Sequence, residues 1–494
     1  MSPNRFIIMK FGGTSVGDAA RFRQCAAIVS MAAQQDRIIV VVSAMAGVTD
    51  LIFRTIEAAR HGDAAATDAG LERFSAVHRQ MIRDLFTGPQ LTRVEQFSDG
   101  VCEQLRKSAQ ALLTLRAEIS AQAMDSLVAL GERISSRALA EYLQQTGTSS
   151  EFVRAEDVIV TDSVFGNANP DIEATRVKCQ AVLLPVVERR AIPVVGGYSG
   201  ATADGYTTTL GRGGSDYSAT ILGAAVHTDE VWIWTDVDGV LTADPRICPG
   251  ASTLPEISFA EAIELAYYGA KVIHPRAAYP AAEAGIPVWI KNSFHPEAEG
   301  TRITRSACSV NKPVKSVTCV KKATLITLVT RRDVHPVELW GRLFLRLGQE
   351  QVEVLFATQS SPEHALGLVL RAEDGPRVLK LIQNIFRIEL AQGVLNPVAV
   401  DNEIAVVAVL GESMKGTCGI LSRVFAAVAR CQVSVIALAQ GASELSICFA
   451  VPAKSVAQVV RSVHDEFWPG VELAVPACLG LGTIALSEAP GGQR

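Results

Sequence analysis

The stretch that decides the fold is Ile38-Ile39-Val40-Val41-Val42-Ser43-Ala44-Met45-Ala46-Gly47-Val48-Thr49-Asp50. Its first five residues form a continuous β-branched run, as expected of a strand buried on both faces of a parallel sheet. Small and polar residues follow, and then a helical pattern begins. Because a strand, a small-residue loop and a helix in succession make up a βαβ unit, this stretch predicts an α/β fold with a mostly parallel sheet between helices.

The same order of elements recurs along the first 300 residues. A strand at 6–9 ends in Lys10-Phe11-Gly12-Gly13-Thr14-Ser15, and further strands are predicted at 192–195, 231–234 and 287–290. Each apolar run ends in small or polar residues. Since ligands of open α/β sheets bind beyond the carboxyl ends of the strands, we expect these polar clusters to converge on one edge.

The densest polar cluster is Thr207-Thr208-Thr209-Leu210-Gly211-Arg212-Gly213-Gly214-Ser215-Asp216. We interpret it as a glycine loop that opens onto a helix at 217–226, with Ser215 and Asp216 in the first turn. Unpaired N–H groups and the helix dipole favour an anion there, and Arg212 adds a fork suited to carboxylate or phosphate. The alternative is a surface turn that caps the helix.

Three further clusters favour nucleotide chemistry. Lys10, with two free backbone N–H groups predicted at Gly12 and Gly13, suits a phosphoryl group in transfer. The segment 235–246 contains carboxylates and hydroxyls that suit a ribose or a hydrated metal, or else form Asx turns. Lys271 is a cation in an apolar stretch that could pair with a phosphate. Neither Gly-x-x-x-x-Gly-Lys-Ser/Thr nor Gly-x-Gly-x-x-Gly occurs, so the phosphate site is of another kind.

Composition excludes several classes of protein. The 494 residues suggest about three domains. A net charge of −5 gives no indication of nucleic acid or an anionic membrane as a partner. The ten cysteines contain no Cys-x-x-Cys pair, and no His-x-x-x-His pair occurs, so structural zinc and a disulfide framework are not expected. Without a predicted signal peptide or membrane span, we expect a cytoplasmic protein.

An internal repeat begins near Lys321. Strands at 325–329, 351–358 and 366–370 with helices at 338–347 and 376–386 form one set. Strands at 404–410, 432–438 and 445–451 with helices at 419–429 and 456–467 repeat that order about eighty residues later. We interpret these sets as two α+β units of ferredoxin-like βαββαβ type.

Together the clusters resemble the aspartokinases of the amino-acid kinase family, and the C-terminal repeat resembles the tandem ACT regulatory domains of those enzymes. The matching motifs are 10–15, 43–49, Gly131-Glu132, 207–216, 234–237 with 244–246, and 269–272. The resemblance implies a kinase domain at 1–305, a linker at 306–321, ACT domains at 322–400 and 401–480 (possibly intertwined) and a tail at 481–494.

The resemblance also implies an activity, which is ATP-dependent phosphorylation of the side-chain carboxylate of L-aspartate to 4-phospho-L-aspartate. It implies that Mg²⁺ is held mainly by phosphates and water, with no metal ligands on the protein. This reaction is the first step toward the aspartate-derived amino acids. The implied catalytic residues are Lys10 and Asp216. The implied aspartate site consists of Ser43, Thr49, Glu132, Arg212, Gly213, Gly214 and Ser215. The implied ATP site consists of Lys10, Phe11, Gly12, Gly13, Thr235, Asp236, Leu241, Arg246, Lys271 and Val272. A homodimer or homotetramer through the ACT domains is expected.

Two departures from the family pattern concern ligands. Many relatives have Tyr where this chain has Leu241, so a contact near the nucleotide is missing. The first repeat has no glycine between 331 and 340, whereas relatives use a glycine loop there to approach an amino-acid effector. The second repeat keeps a glycine loop, so the predicted effector residues are Met414, Gly416, Thr417 and Gln440. Weak or absent inhibition by lysine is expected.

Two alternatives stay open at this point. One is a kinase of the same fold that acts on glutamate or N-acetylglutamate, although the paired Glu132 and Arg212 favour a free amino acid and the C-terminal repeat disfavours the acetylated one. The other is a ligand-sensing regulatory protein whose kinase half has lost activity. Intact Lys10, Glu132, Arg212 and Asp216 argue against that one.

Overall fold

The computed structural model describes residues 4–270, 272–306, 313–360 and 364–469. Its first half contains an eight-stranded sheet with strand order β3-β5-β2-β1-β8-β10-β11-β9. All neighbours in this sheet run parallel except β10 and β11, which confirms the predicted α/β class. The strands of this half are β1 (Phe6–Phe11), β2 (Arg37–Val42), β3 (Ser150–Val153), β4 (Val160–Thr161), β5 (Ile192–Gly196), β6 (Ser199–Thr202), β7 (Thr207–Thr209), β8 (Glu230–Thr235), β9 (Glu256–Ser258), β10 (Val288–Asn292) and β11 (Thr301–Thr304).

Helices cover both faces of this sheet. They are α1 (Ala19–Ala32), α2 (Val48–Arg60), α3 (Ala64–Leu85), α4 (Gly88–Leu115), α5 (Ala121–Val128), α6 (Leu130–Gln145), α7 (Ile172–Val182), α8 (Leu184–Glu188), α9 (Gly214–Val226), α10 (Phe259–Tyr267) and α11 (Pro275–Ala284). No helix in the described ranges has the length and hydropathy needed to cross a membrane.

Strand β1 separates two hydrophobic cores. Ile7 and Met9 enter the core beneath α1 and α2, and Phe6 and Ile8 enter the core that contains α9. Because successive side chains of a strand point to opposite faces, Lys10 shares the face of Phe6 and Ile8. The alternation therefore directs a buried lysine toward α9.

A small sheet, β4-β6-β7, lies apart from the main one. Its strand β7 pairs antiparallel with β6, with Thr209 opposite Ser199 and Thr207 opposite Ala201. The prediction of a loop from Thr207 onward was therefore wrong for its first three residues. Three consecutive β-branched threonines favour a strand, and only the glycines after them form the loop.

The C-terminal half is built on a six-stranded antiparallel sheet of order β13-β14-β12-β15-β17-β16. Its elements are β12 (Ser316–Val329), α12 (Pro336–Gln349), β13 (Val354–Ser360), β14 (Ala365–Arg371), α13 (Gly375–Ile385), α14 (Arg387–Ala391), β15 (Ala399–Leu410), α15 (Ile420–Arg430), β16 (Ala437–Gln440), β17 (Ser446–Pro452) and α16 (Val456–Phe467). Strand, helix, strand, strand and helix succeed each other from β12 to α13 and again from β15 to α16, which is the order that the repeat predicted.

Three details of this half differ from the predictions. The predicted linker is strand from Ser316 onward, since Val317 and Val320 are buried in pairing with β15. The strand predicted at 432–438 begins only at Ala437, since Gln432 lies in a turn and 433–436 have no regular secondary structure. The predicted boundaries at 321/322 and 400/401 fall within β12 and β15, so both strands are shared between the two units. The predicted tail at 481–494 lies outside the described residues.

Candidate active site

The centre of the site is an ion pair between β1 and α9. Lys10 Nζ lies 2.5 Å from Asp216 Oδ1. The lysine side chain is 9% exposed and the aspartate side chain 18% exposed. Lys10 leaves β1 at its carboxyl end, and Asp216 is in the first turn of α9. The two predicted catalytic residues are thus neighbours although 206 positions separate them in the chain.

The start of α9 depends on two glycines. Gly213 caps the helix with φ of 68°, and a Cβ there would lie 2.5 Å from His274 Cβ. A Cβ on Gly214 would lie 2.6 Å from Tyr198 Cδ2. Any larger residue would therefore push the chain away from its neighbours. His274 itself caps α11 by accepting from Arg276 N at 3.3 Å.

A buried carboxylate holds the strand that leads into the glycine loop. Asp125 Oδ2 accepts from Thr209 N and from Gly166 N, each at 2.8 Å, and Asp125 Oδ1 accepts from Thr209 Oγ1 at 2.8 Å. Asp125 is 2% exposed, and burial raises its pKa against the opposing effect of these hydrogen bonds. Sequence reasoning missed Asp125, because a single acid in a helix looks like a surface residue until its partners are known.

Glu132 is the most unusual acid near the site. It lies in the first turn of α6, is 3% exposed, and its Oε2 has no hydrogen-bond partner. Burial raises the pKa of its carboxyl group to about 8, and a backbone hydrogen bond from Ala44 opposes the shift. A buried acceptor without a donor is costly unless a ligand supplies one, so Glu132 suits an incoming ammonium group.

The other predicted aspartate-site residues follow either β2 or β7 in the chain. Ser43 follows β2 and its N–H donates to Phe11 O at 3.1 Å. Thr49 is in the first turn of α2. Arg212 is exposed and makes no hydrogen bond or ion pair with the residues described here. Its guanidinium is near enough to His274 to help lower that residue's pKa, although burial of the ring lowers it more.

One sequence prediction about the Lys10 loop was partly wrong. Gly12 N is not free, since it donates to Trp234 O at 3.1 Å. Phe11 is fully buried and stacks on Trp234 with ring centroids 6.0 Å apart. The side chain of Phe11 therefore belongs to the core, and only its backbone borders the site. Both differences arise because β1 pairs with β8, a contact that no local pattern reveals.

The predicted nucleotide residues follow β8. Thr235 Oγ1 donates to Asp236 Oδ1 at 3.2 Å at the strand end. Beyond them lies a cavity of about 440 Å³ whose lining includes Leu241, Arg246 and Val272. Lys271 lies outside the described residues. No group of three or more His, Cys, Asp or Glu side chains within the described ranges is arranged to hold a metal ion.

Several residues near the site gave no sequence signal. Tyr198 has φ of 70°, hydrogen-bonds to Thr209 through its side chain, and burial raises its pKa to about 12. Ser15 Oγ lies 2.7 Å from Ser293 Oγ, which in turn donates to Thr235 O at 3.0 Å. Single serines and tyrosines are too common in any chain for such roles to be predicted before the fold is known.

The four predicted effector residues are together in the second C-terminal unit. Met414, Gly416, Thr417 and Gln440 line one cleft of about 540 Å³. Gly416 has φ of 67°, and its N–H donates to Glu444 Oε2 at 2.9 Å. At the equivalent place in the first unit, Arg331 Nε donates instead to Asp333 Oδ1 at 2.7 Å, just before α12 begins at Pro336.

Comparison with known proteins supports one family. The model for the amino acid kinase family matches residues 5–292, and a model for the ACT domain matches residues 407–467. The lysine-sensitive aspartokinase 3 of Escherichia coli is 32% identical over 469 residues, which cover 94% of this chain and 100% of that protein. The crystal structure of E. coli aspartokinase III in complex with aspartate and ADP superposes with a TM-score of 0.77 at 30% identity, covering 94% of this chain and 100% of that one.

Other relatives are longer than this chain. A bifunctional aspartokinase/homoserine dehydrogenase of Haemophilus influenzae is 28% identical over 487 residues, which cover 97% of this chain but only 58% of that protein. The match to the kinase model and the full-length match to the E. coli enzyme confirm the resemblance drawn from the six motifs. This chain belongs to the amino acid kinase family and, within it, to the aspartokinases.

Proposed function

We propose that this chain transfers the γ-phosphoryl group of ATP to the side-chain carboxylate of L-aspartate, giving 4-phospho-L-aspartate and ADP. The observation that carries the proposal is the Lys10–Asp216 ion pair at the carboxyl end of β1. The buried Glu132 carboxyl, which accepts from the backbone of Ala44 just after β2 and has an unpartnered oxygen, supports it. The E. coli structure that superposes on this chain holds aspartate and ADP, which supports the same pair of ligands here.

The aspartate site is proposed from complementary charges. Arg212 would clamp the α-carboxylate with its forked donors, and Glu132 would accept from the α-ammonium. Thr49 and the backbone around Gly213–Ser215 would donate to carboxylate oxygens at the N-terminus of α9, where anions are favoured. Ser43 would border the same space. A free α-ammonium satisfies Glu132, whereas an acetylated nitrogen would leave its buried oxygen without a charged donor.

The transfer itself needs little more than positioning and charge neutralisation. A side-chain carboxylate oxygen of aspartate attacks the γ-phosphorus while the bond from that phosphorus to the bridging oxygen breaks, and ADP departs with the bond electrons. No proton has to move. Lys10 would neutralise negative charge on the transferred phosphoryl group, and Asp216 would hold the lysine ammonium group in place.

The nucleotide site is proposed along β8 and the segment after it. Thr235, Asp236, Leu241, Arg246 and Val272 would contact ATP, together with Lys271 and the backbone of 10–13. Mg²⁺ would enter with the nucleotide, since it prefers phosphate oxygens and water as ligands. A single carboxylate such as that of Asp236 would accept hydrogen bonds from the water molecules bound to the metal. The bound metal would supply charge neutralisation at the phosphates.

The C-terminal half, from β12 onward, is proposed to be regulatory and to pair with a second copy of the chain. The cleft of Met414, Gly416, Thr417 and Gln440 would take an amino-acid effector, because its left-handed glycines let a ligand approach the backbone closely. A cytoplasmic location, as expected from the sequence, is proposed as well.

The decisive experiment is ATP-dependent hydroxamate formation with L-aspartate, compared with L-glutamate and N-acetyl-L-glutamate. We expect product with L-aspartate and none with L-glutamate or N-acetyl-L-glutamate. Folded protein that binds ATP but gives no product with aspartate would overturn the proposal, and product with glutamate or its acetyl derivative would assign the other substrate instead.

A further inference from the structure

The cavity beside the predicted nucleotide residues has one wall from the C-terminal half. On one side are residues of the kinase half such as Leu241, Arg246 and Val272. On the other side is the first part of β12, from Ser316 to Cys319, followed by Lys321. A strand shared by the two regulatory units therefore borders the same space as the nucleotide loop.

Two cations in this wall share one carboxylate. Asp244 Oδ2 accepts from Arg246 Nη2 at 2.9 Å and from Lys321 Nζ at 3.2 Å, and Asp244 Oδ1 accepts from Arg246 Nε at 2.9 Å. The Asp244 side chain is 23% exposed, whereas those of Lys321 and Arg246 are 52% and 81% exposed. One negative charge thus faces two positive ones, which leaves an excess of positive charge at the mouth of the cavity.

The backbone of β12 is irregular at this lysine. Val320 pairs with Val406 and Ala323 pairs with Ile404, so Lys321 and Lys322 together oppose the single residue Ala405 of β15. This two-against-one arrangement is a β-bulge, which changes the direction of a side chain and is common beside active sites. Here the bulge accompanies the approach of Lys321 to the Asp244 loop, while its neighbour Lys322 does not line the cavity.

The excess charge has a natural partner in a nucleotide. The phosphate chain is the anionic part of an adenine nucleotide, and an ammonium group binds a phosphate oxygen through a short, charge-assisted hydrogen bond. Without a nucleotide, Asp244 keeps both cations close to the cavity. A phosphate could then bind to cations that are already in position and would not have to order a free lysine side chain.

We propose that Lys321, together with Arg246, binds a phosphate group of the adenine nucleotide, so that the regulatory half contributes a residue to the nucleotide site. The inference rests on the proposed function only for the identity of the nucleotide. It also links the two halves of the chain, because a shift of β12 would move a phosphate ligand and a bound nucleotide would hold β12 against the kinase half.

The test is equilibrium binding of ADP by calorimetry, with Mg²⁺, to the 494-residue chain and four variants. Lys321→Ala and Lys321→Gln remove the charge, Lys321→Arg keeps it, and Lys322→Gln is the matched control one residue away. We expect the Kd for ADP to rise about 10-fold in the first two variants, and to change less than about 2-fold in the last two. The KM for aspartate should stay unchanged in all of them.

Two outcomes would overturn the proposal. If Lys321→Gln binds ADP as tightly as the native chain, the charge has no contact with a phosphate. If Lys322→Gln weakens binding equally, the effect belongs to the strand and not to Lys321. The thermal midpoint of unfolding without nucleotide, measured for every variant, separates loss of binding from loss of fold. ADP binding that responds as expected in a protein inactive toward aspartate would sustain this inference while refuting the proposed function.

Discussion

Lys10 Nζ lies 2.5 Å from Asp216 Oδ1, which joins the carboxyl end of the first strand to the first turn of α9. The pair is largely enclosed, so its charges act through a medium of lower dielectric constant than water. A lysine held in this way is oriented before the substrate arrives, and no reorganisation is needed when negative charge moves onto the transferred group.

The first prediction concerns this lysine. Lys10→Ala should lower kcat by about 10²-fold or more, because it removes a charge that stabilises the transferring phosphoryl group. Steady-state kinetics with aspartate and ATP measure the effect. Lys178→Ala, on the exposed face of α7, serves as the control and should leave kcat unaltered. A near-normal kcat for Lys10→Ala would mean that the catalytic lysine is a different one.

The second prediction concerns the pH dependence of aspartate binding. Below pH 8 the Glu132 carboxyl, whose pKa burial raises to about 8, has to lose its proton before it can pair with an ammonium group. The KM for aspartate should therefore fall as pH rises from 6 toward about 8 and then level off. Glu132→Gln should raise the KM and remove most of this slope. A native KM that does not change with pH would contradict the assignment.

The same carboxyl group predicts how stability depends on pH without substrate. The unfolded chain ionises Glu132 near its ordinary pKa of 4.5, whereas the folded chain keeps the proton up to about 8. Since the folded state binds more protons in this window, the contribution of Glu132 to the free energy of unfolding decreases as pH rises through it. Denaturant titrations at several pH values should show a smaller decrease for Glu132→Gln. An unchanged slope would indicate that the native carboxyl ionises normally.

The third site for mutation is Asp125, which orients the strand before the glycine loop. Asp125→Asn replaces one acceptor oxygen by an NH₂ group facing donors such as Thr209 N, and should lower the free energy of unfolding by about 1–3 kcal/mol. Because β7 leads directly to Arg212, the KM for aspartate should rise while the affinity for ADP stays unchanged. Asp68→Asn, on the exposed face of α3, is the control. Equal losses of affinity for aspartate and for ADP would point to general unfolding.

The last prediction concerns regulation. The first C-terminal unit has an Arg331–Asp333 ion pair and Pro336 where the resemblance to aspartokinases implies a glycine loop, so lysine should inhibit weakly or not at all. Inhibition assays across a range of lysine concentrations test this. Strong inhibition at micromolar lysine would show that the glycine loop is not required.

If another amino acid stabilises the protein against heat, Gly416→Val should abolish that effect, because φ of 67° strains any β-branched residue.

Much of the architecture could be predicted from local patterns. The continuous run Ile38–Val42 and the strand ends at Lys10 and Thr235 identified a parallel sheet with its site at one edge, since burial on both faces requires such runs. The C-terminal repeat was visible for the same reason. The predictions that failed at Gly12 and at Thr207–Thr209 had different causes. Gly12 bonds to β8, a strand distant in the chain, and local sequence does not specify such a partner. Thr207–Thr209 pair with the nearby strand β6, and this β-branched run was assigned to the glycine loop although it favours a strand.

The sequence by itself determined the chemistry that is available: a lysine after the first strand, an arginine and an aspartate around a glycine loop, and a glutamate that opens a helix. The tertiary structure alone decided which of these groups meet and in what environment. Burial left Glu132 without a hydrogen-bond partner at one oxygen and raised its pKa, while packing of α9 on β1 paired Lys10 with Asp216. The physical reason is that pKa values and ion pairs depend on neighbours and solvent exposure, which arise from long-range packing of the chain.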